Sequence, residues 1–336
     1  MNLFQKIALV VCASVPALSW GCLWDSDTLA TESARFPDIA AIMTGNFPRH
    51  SKEFHEWRVK KKTRILEAGN ATALDYDDLA VSQHKMGDHA AAIATMMAKE
   101  KQMPGLYETY SNLGTFYIYT GELRDAVKWI DKALSINRNA HFGREKYQRW
   151  LVLWVLEHKM SIKTNEEIQK ERTSGQEDAP VGFAAFIARQ EMGGISDVSK
   201  TPLKFTEAQR QAAIQGVKGM MYFADFDNPI LQEALGDLLS FGTMSENASQ
   251  LAGLCYLHAS EKTADPLEKA RLKMLMGIAL YASHLRKEVD LSKTLTAAMA
   301  KGQKLNEDVR DEEMAWLLAG KDVTQEFQKK YLPARQ

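Results

Sequence analysis

The sequence predicts an all-α protein: a solenoid of helix–turn–helix units followed by a second all-helical region. Ala, Leu, Met, Lys, Glu and Gln dominate the 336 residues and Pro numbers only 9, a composition that favours helix nearly throughout. No stretch alternates apolar and polar residues between hairpin turns, so a sheet is not expected. Two stretches repeat each other without a gap at a spacing of 34 residues, which is typical of stacked helical hairpins.

The first 21 residues have the layout of a secretory signal peptide. Lys6 gives a positive start, Ile7 to Leu18 is apolar, and small residues at Ser19 and Gly21 precede Cys22. The apolar run is too short for a permanent membrane span, which needs about 20 residues. We therefore expect export and removal of residues 1–21.

Cys22 is a candidate for lipidation, because the segment Ser19–Cys22 resembles the cleavage site of bacterial lipoproteins. The usual Leu is displaced to Leu18 and Trp20 is bulky, so simple cleavage is the alternative. A lipid on Cys22 would tether the chain to a membrane by its acyl chains alone. Cys255 lies in an apolar stretch and is expected to be a buried, unmodified residue of a helix.

An N-terminal helical segment is predicted over residues 22–71. Its clearest element begins after Ser51, which suits a helix N-cap, and runs from Lys52 to Ala68. Gly69 is expected to end it in a left-handed conformation.

The repeat region is predicted over residues 72–159. Each copy has a bulky residue, a Leu, a small residue, a turn Gly, an Ala and a second bulky residue. The first copy places them at Tyr76, Leu79, Ala80, Gly87, Ala92 and Met96. The second copy places them at Tyr110, Leu113, Gly114, Gly121, Ala126 and Ile130. The small residue lets the two helices of a unit pack closely, and the turn Gly takes a left-handed conformation.

A third unit or a capping helix is predicted over His141–Lys159. Its broad apolar face, which includes Tyr147, Trp150 and Trp154, keeps the spacing of the repeats but not their small residues.

These residues resemble the tetratricopeptide repeat. The second copy matches the family pattern at Leu113-Gly114, Tyr117, Ala126 and Ala133. The first copy departs from it with Gln83 in place of Tyr and with Lys99 in place of the second Ala. The chain as a whole also resembles uncharacterised exported bacterial proteins of this repeat class.

The resemblance implies that the first helix of each unit lines a concave surface that binds a protein or peptide. The outward-facing candidate positions are Asp77, His84, Lys85, Ser111, Thr115, Tyr119, Glu145 and Arg149. This surface has mixed polarity and one exposed aromatic ring, which suits a polypeptide partner. The subclass that clamps a C-terminal carboxylate is disfavoured, because Asp77 and Val81 stand where it uses Asn and Lys. The alternative is that these positions contact the stretches before or after the repeats.

The second half begins with a polar linker carrying one helix, residues 160–204. A C-terminal helical domain follows, residues 205–336. It contains possible degenerate repeats, because Leu235-Gly236, Leu239 and Ala248 have the offsets of the second copy. Leu291–Lys304, Val309–Leu318 and Val323–Tyr331 are predicted as three short helices.

Catalytic residues, a metal site and a cofactor are not predicted. His50 and His55, like His84 and His89, are five residues apart, whereas helical metal ligands need a spacing of three or four. Tyr76-Asp77-Asp78 is interpreted as part of a solvated helix face and Asp225–Asn228 as a helix cap. The net charge of −1 excludes a basic field for nucleic acid.

The sequence therefore predicts an exported protein-interaction or scaffold protein that uses a repeat surface at the bacterial cell envelope. The partner is a protein or peptide of unknown identity. One alternative is an enzyme with an unrecognised active site in the C-terminal helical domain, and another is a structural envelope lipoprotein.

Overall fold

A computed structural model describes residues 38–138, 144–159, 182–194, 203–241, 246–282 and 290–332. All regular structure in these ranges is helical, as predicted. The signal peptide, Cys22 and most of the polar linker lie outside the described residues. The helices of the first half are α1 (Ile39–Met43), α2 (Lys52–Glu67), α3 (Ala73–Lys85), α4 (His89–Gln102), α5 (Tyr107–Tyr119), α6 (Leu123–Ile136) and α7 (Arg144–Trp154). The helices of the second half are α8 (Gly182–Glu191), α9 (Glu207–Phe223), α10 (Pro229–Leu239), α11 (Glu246–Lys262), α12 (Pro266–Ala282), α13 (Leu291–Leu318) and α14 (Val323–Tyr331).

The two repeat units are the helical hairpins α3–α4 and α5–α6. Their turn glycines have the left-handed φ that the sequence predicts, 86° at Gly87 and 80° at Gly121. Thr72 and Asp75 form a reciprocal capping box at the start of α3. At Gly114, a Cβ would lie 2.6 Å from Cγ1 of Ile130 in α6, so this position requires glycine for the observed close packing.

The second half also contains closely packed helical pairs, formed by other residues. Thr206 caps α9 through a capping box with Gln209. Asn228 caps α10, as predicted. In α10, a Cβ at Gly236 would lie 2.9 Å from the Tyr256 ring of α11, so this pair packs closely for the same reason as α5 and α6.

Residues from both sides of the predicted polar linker share the largest hydrophobic core. It joins Trp150 and Trp154 of α7 to Phe183 of α8 and to residues of α9–α12, including Val217 and Leu235. Cys255 lies in this core with no exposed surface, as expected. The apolar face of α7 thus packs on the second region.

The prediction of two short helices over Leu291–Lys304 and Val309–Leu318 was wrong, because α13 continues unbroken over 28 residues. No Gly or Pro lies between Lys304 and Val309, and Asn306 makes tertiary contacts instead of ending the helix. The third short helix, Val323–Tyr331, is observed as predicted. No helix of the described ranges has the length and apolar character needed to cross a bilayer.

Helix α13 bridges the two ends of the chain of hairpins. It is about 42 Å long at the standard rise per residue. Near its start, Leu291 and Leu295 pack on Leu257 of α11. Near its end, the buried Glu313 accepts a hydrogen bond from the backbone N–H of Ser51 (2.8 Å) and pairs with Nδ1 of His50. The helices therefore form a closed ring.

Candidate functional site

The predicted concave surface is largely buried. Asp77, His84, Ser111, Thr115 and Glu145 each expose 5% or less of their surface. The expectation that these side chains face outward is therefore corrected, because they contact other parts of the chain.

The interpretation of Asp77-Asp78 as part of a solvated face was wrong, because both side chains are buried and paired. Nζ of Lys99 lies 2.7 Å from both carboxylate oxygens of Asp77, and Asn112 donates to the same carboxylate at 3.3 Å. Burial raises the pKa of Asp77 to about 7, and the charge of Lys99 partly offsets this rise. Asp78 is also buried and pairs with Arg58 and Lys62 of α2.

Glu145 occupies the position of the third unit that corresponds to Asp77 and Ser111 in the first two. It accepts hydrogen bonds from the hydroxyl groups of Tyr107 and Ser111 in α5. Burial raises the pKa of Glu145 to about 7. Gln148 of α7 donates to Thr115 at 3.0 Å, so polar side chains join α5 and α7 along the inner face.

The C-terminal end of α9 lies against this inner face. Nζ of Lys85 donates to the carbonyl oxygens of Phe223 and Ala224, both at 2.7 Å, which satisfies the last carbonyl groups of α9. A Cβ at Gly219 would lie 2.7 Å from the Arg144 guanidinium, so α9 also packs closely on α7. The alternative that the candidate positions contact a neighbouring stretch of the chain therefore holds at Lys85.

Tyr119 and Arg149 lie at the rim and stay partly exposed. The Tyr119 ring contacts the rings of His84 and His89, and Arg149 pairs with Asp131 at 2.5 Å. Burial and the nearby charge of Lys85 lower the pKa of His84 well below its ordinary value, so its imidazole is neutral at physiological pH.

An open groove lies elsewhere, along the middle of α13. Its volume is about 690 Å³. The walls are one face of α13, the end of α11 and the chain segment that leads into α2, here called the entry segment (residues 44–51). The lining residues are Thr44, Gly45, Arg49, Phe226, His258, Glu261, Lys262, Leu295, Thr296, Met299, Ala300, Gly302, Gln303, Asn306, Glu307 and Arg310.

Asn306 holds the entry segment against α13. Its amide nitrogen donates to the carbonyl oxygens of Gly45 (3.2 Å) and Phe47 (3.1 Å), and its carbonyl oxygen accepts the backbone N–H of Arg49 (3.0 Å). Gly302, one turn earlier, allows this approach because a Cβ would lie 2.7 Å from the carbonyl oxygen of Thr44. This face of α13 thus binds irregular polypeptide backbone.

His258 and Lys262, on the wall formed by the end of α11, both contact Asp227. His258 contacts the carbonyl oxygen of Met43 through Nδ1 (3.1 Å) and Asp227 through Nε2 (2.6 Å). Lys262 pairs with the second oxygen of Asp227, and these partners hold the pKa of Asp227 below its usual value despite partial burial. Neither nitrogen of His258 is left to act as a base toward the groove.

This groove was not predicted from the sequence. The entry segment and α13 are separated by 257 to 261 residues at their contacts, and the local signals are weak. The clearest one is Asn306, a poor helix former inside a long helix. Among the described residues, no three His, Cys, Asp or Glu side chains meet in a way that could hold a metal ion.

Comparison with known families bears on the repeat region. The family model described as tetratricopeptide repeat matches residues 107–139, which contain α5 and α6. The chain contains a tetratricopeptide repeat. No curated protein and no solved structure matches the chain. Tetratricopeptide repeats generally bind protein partners, which supports a role in protein–protein interaction or scaffolding.

Proposed function

We propose that this protein is an exported scaffold or adaptor of the bacterial cell envelope, and that it binds an extended polypeptide segment in the groove along α13. The observation that carries this proposal is the contact of Asn306 with Gly45, Phe47 and Arg49. One face of α13 already binds backbone in this way, and the remaining part of that face borders an open groove.

The character of the groove supports a peptide over a small molecule. Its lining combines apolar side chains such as Met299 with charged side chains from both walls, and it follows α13 from Leu295 to Arg310. Peptide-binding surfaces commonly add backbone hydrogen bonds to a few side-chain pockets. The repeat units pack on α2, and the start of α2 contacts the end of α13.

The test is selection of binders from a displayed library of random peptides about 12 residues long, whose extended length matches α13. The selected peptides are then measured against two variants of the full chain. Ala300→Trp fills the groove from an exposed position, and Ala297→Trp places the same side chain at an exposed position of α13 that does not line the groove.

We expect Ala300→Trp to weaken binding by about tenfold or more, because the indole occupies the space of the peptide, and Ala297→Trp to leave it unchanged. If the library returns no binder, or if both variants bind as the wild type does, the groove is not the binding site.

Export and lipidation rest on the residue pattern around Cys22. Expression of the full chain in a bacterium, followed by fractionation and mass spectrometry of the mature N-terminus, tests both. We expect a chain that starts at Cys22 in the envelope fraction. A diacylglyceryl group on Cys22 would favour the lipoprotein form, a free Cys22 the soluble exported form, and an uncleaved cytoplasmic chain would contradict export.

A further inference from the structure

Arg49 is held rigidly at the edge of the groove. Its guanidinium lies 4.9 Å from the centre of the Phe47 ring and 4.5 Å from the centre of the Phe226 ring. One nitrogen, Nη1, donates to the carbonyl oxygen of Gly45 at 2.8 Å. Because cation–π contacts fix the plane of the guanidinium, its orientation toward the groove is set before any ligand binds.

The described residues give Arg49 no carboxylate within ion-pair distance. Asp225 and Asp227 act on it through electrostatics without forming an ion pair, and Asp227 is already paired with His258 and Lys262. A guanidinium has five N–H donors, and a single hydrogen bond leaves most of them for water or a ligand. Arg49 therefore retains the capacity to bind a carboxylate.

The partial burial of Arg49 makes its charge unfavourable while no anion is paired with it. Desolvation lowers the pKa of Arg49 to about 10, which shows that the surroundings disfavour its charge. An anion in the groove would reverse this effect, since a charge-assisted hydrogen bond is stronger where water is partly excluded.

We propose that the groove selects acidic peptides: a Glu or Asp carboxylate of the bound segment pairs with Arg49, and a neighbouring apolar side chain packs on Met299. This inference rests on the proposed function and names the chemistry of the partner. Phe47 and Phe226 position the guanidinium. The side chain of Met299 lines the groove, is only partly buried and offers apolar surface on α13.

The experiment uses the random-peptide library described above, selected against the full wild-type chain. We expect the selected sequences to be enriched in Glu or Asp next to apolar residues. The strongest binder is then synthesised with its acidic residue and with the matching Gln or Asn. Both forms are measured against the wild type, Arg49→Met and Arg64→Met. Arg64 is an exposed arginine of α2 that does not line the groove, so it controls for the loss of one positive charge.

Arg49→Met should lower the binding affinity for the acidic peptide by roughly tenfold to a hundredfold, the range expected for hydrogen bonds to charged groups. The amide peptide should bind the wild type and Arg49→Met equally well, and Arg64→Met should behave as the wild type does. Thermal unfolding of each variant shows whether it is folded. If Arg49→Met does not fold, the comparison of acidic and amide peptides on the wild type still decides.

The outcomes separate this inference from the proposed function. If no peptide is selected, the proposed function fails. If peptides bind in a way that Ala300→Trp blocks, but acidic residues are not enriched or the amide form binds equally well, the groove binds polypeptide and Arg49 does not select a carboxylate.

Discussion

Asp77 and Lys99 form a buried ion pair, with Nζ of Lys99 2.7 Å from both carboxylate oxygens. The two residues lie on the two helices of the first repeat unit. In the second unit, Ser111 and Ala133 occupy the corresponding positions, and both are fully buried. The first unit thus replaces a small neutral pair by a charged pair at the same place in the fold.

The pair predicts strong coupling between the two positions. Lys99→Ala alone should lower the free energy of unfolding by about 3–5 kcal/mol, because it leaves the buried Asp77 carboxylate without its cation. The double variant Asp77→Ser/Lys99→Ala, which copies the second unit, should recover most of this loss. Chemical denaturation of the two single variants and the double variant measures the coupling. Additive effects of the two substitutions would contradict the assignment.

Close packing at Gly114 predicts opposite effects of the same substitution at two glycines. Gly114→Ala should destabilise the protein by about 1–3 kcal/mol, because the new Cβ overlaps Ile130 in α6. Gly277→Ala in α12 is the matched control, since its Cβ would meet no atom within 4 Å. That variant should be more stable than the wild type by about 0.5–1 kcal/mol, because alanine is the better helix former. Equal effects in thermal unfolding would show that helix propensity, and not packing, decides at Gly114.

The buried Glu145 predicts a pH dependence of stability. Its folded-state pKa of about 7 lies above the ordinary value of 4.5, so the folded protein binds the proton more tightly than the unfolded chain does. The contribution of Glu145 is therefore fully present below about pH 4.5 and is lost as the pH rises through about 7. Asp77 and Asp237, whose pKa values burial also raises to about 7, act in the same direction.

Glu145→Gln isolates this effect, because the amide keeps the size and cannot ionise. Relative to the variant, the wild type should lose up to about 3 kcal/mol of stability between about pH 5 and about pH 8. Urea unfolding of both proteins at the two pH values measures the difference. A constant difference between wild type and variant would mean that Glu145 does not titrate in this range in the folded state.

Glu313 contacts His50 and Ser51, so we expect loss of its carboxylate to loosen the end of α13 locally. Glu313→Ala should detach the end of α13 from α2, because both carboxylate oxygens contact the start of α2. Hydrogen exchange should then show reduced protection in the second half of α13 and in α14, with α3–α6 unchanged. Asp308→Ala, which removes an exposed carboxylate of the same helix, serves as the control. A uniform loss of protection would indicate global destabilisation instead.

Much of the fold follows from local sequence signals. The caps at Ser51 and Asn228 and the turn glycines Gly87 and Gly121 were predicted correctly, since each depends on a few neighbouring residues. The prediction of a break within α13 was wrong, because polar residues such as Asn306 have a tertiary role there.

The candidate site followed from the sequence only in part. Family resemblance identified the inner row of helices, but whether a row is open depends on what packs against it. α9 packs against the repeat helices and the entry segment packs against α13, and both partners are distant in sequence. No local sequence pattern therefore predicts these contacts.

The sequence by itself thus determined the all-helical class, the repeat units and their turns, because helix propensity, capping and close packing within a hairpin act over tens of residues. Only the tertiary structure decided which surface is available. A hairpin must bury its apolar face on a neighbour. In this chain the end of α9 packs against the inner face, so most of the predicted concave positions are buried, while Tyr119 and Arg149 stay partly exposed. The bridge of α13 between α11 and α2 then created the open groove, from residues that meet only because the ring closes.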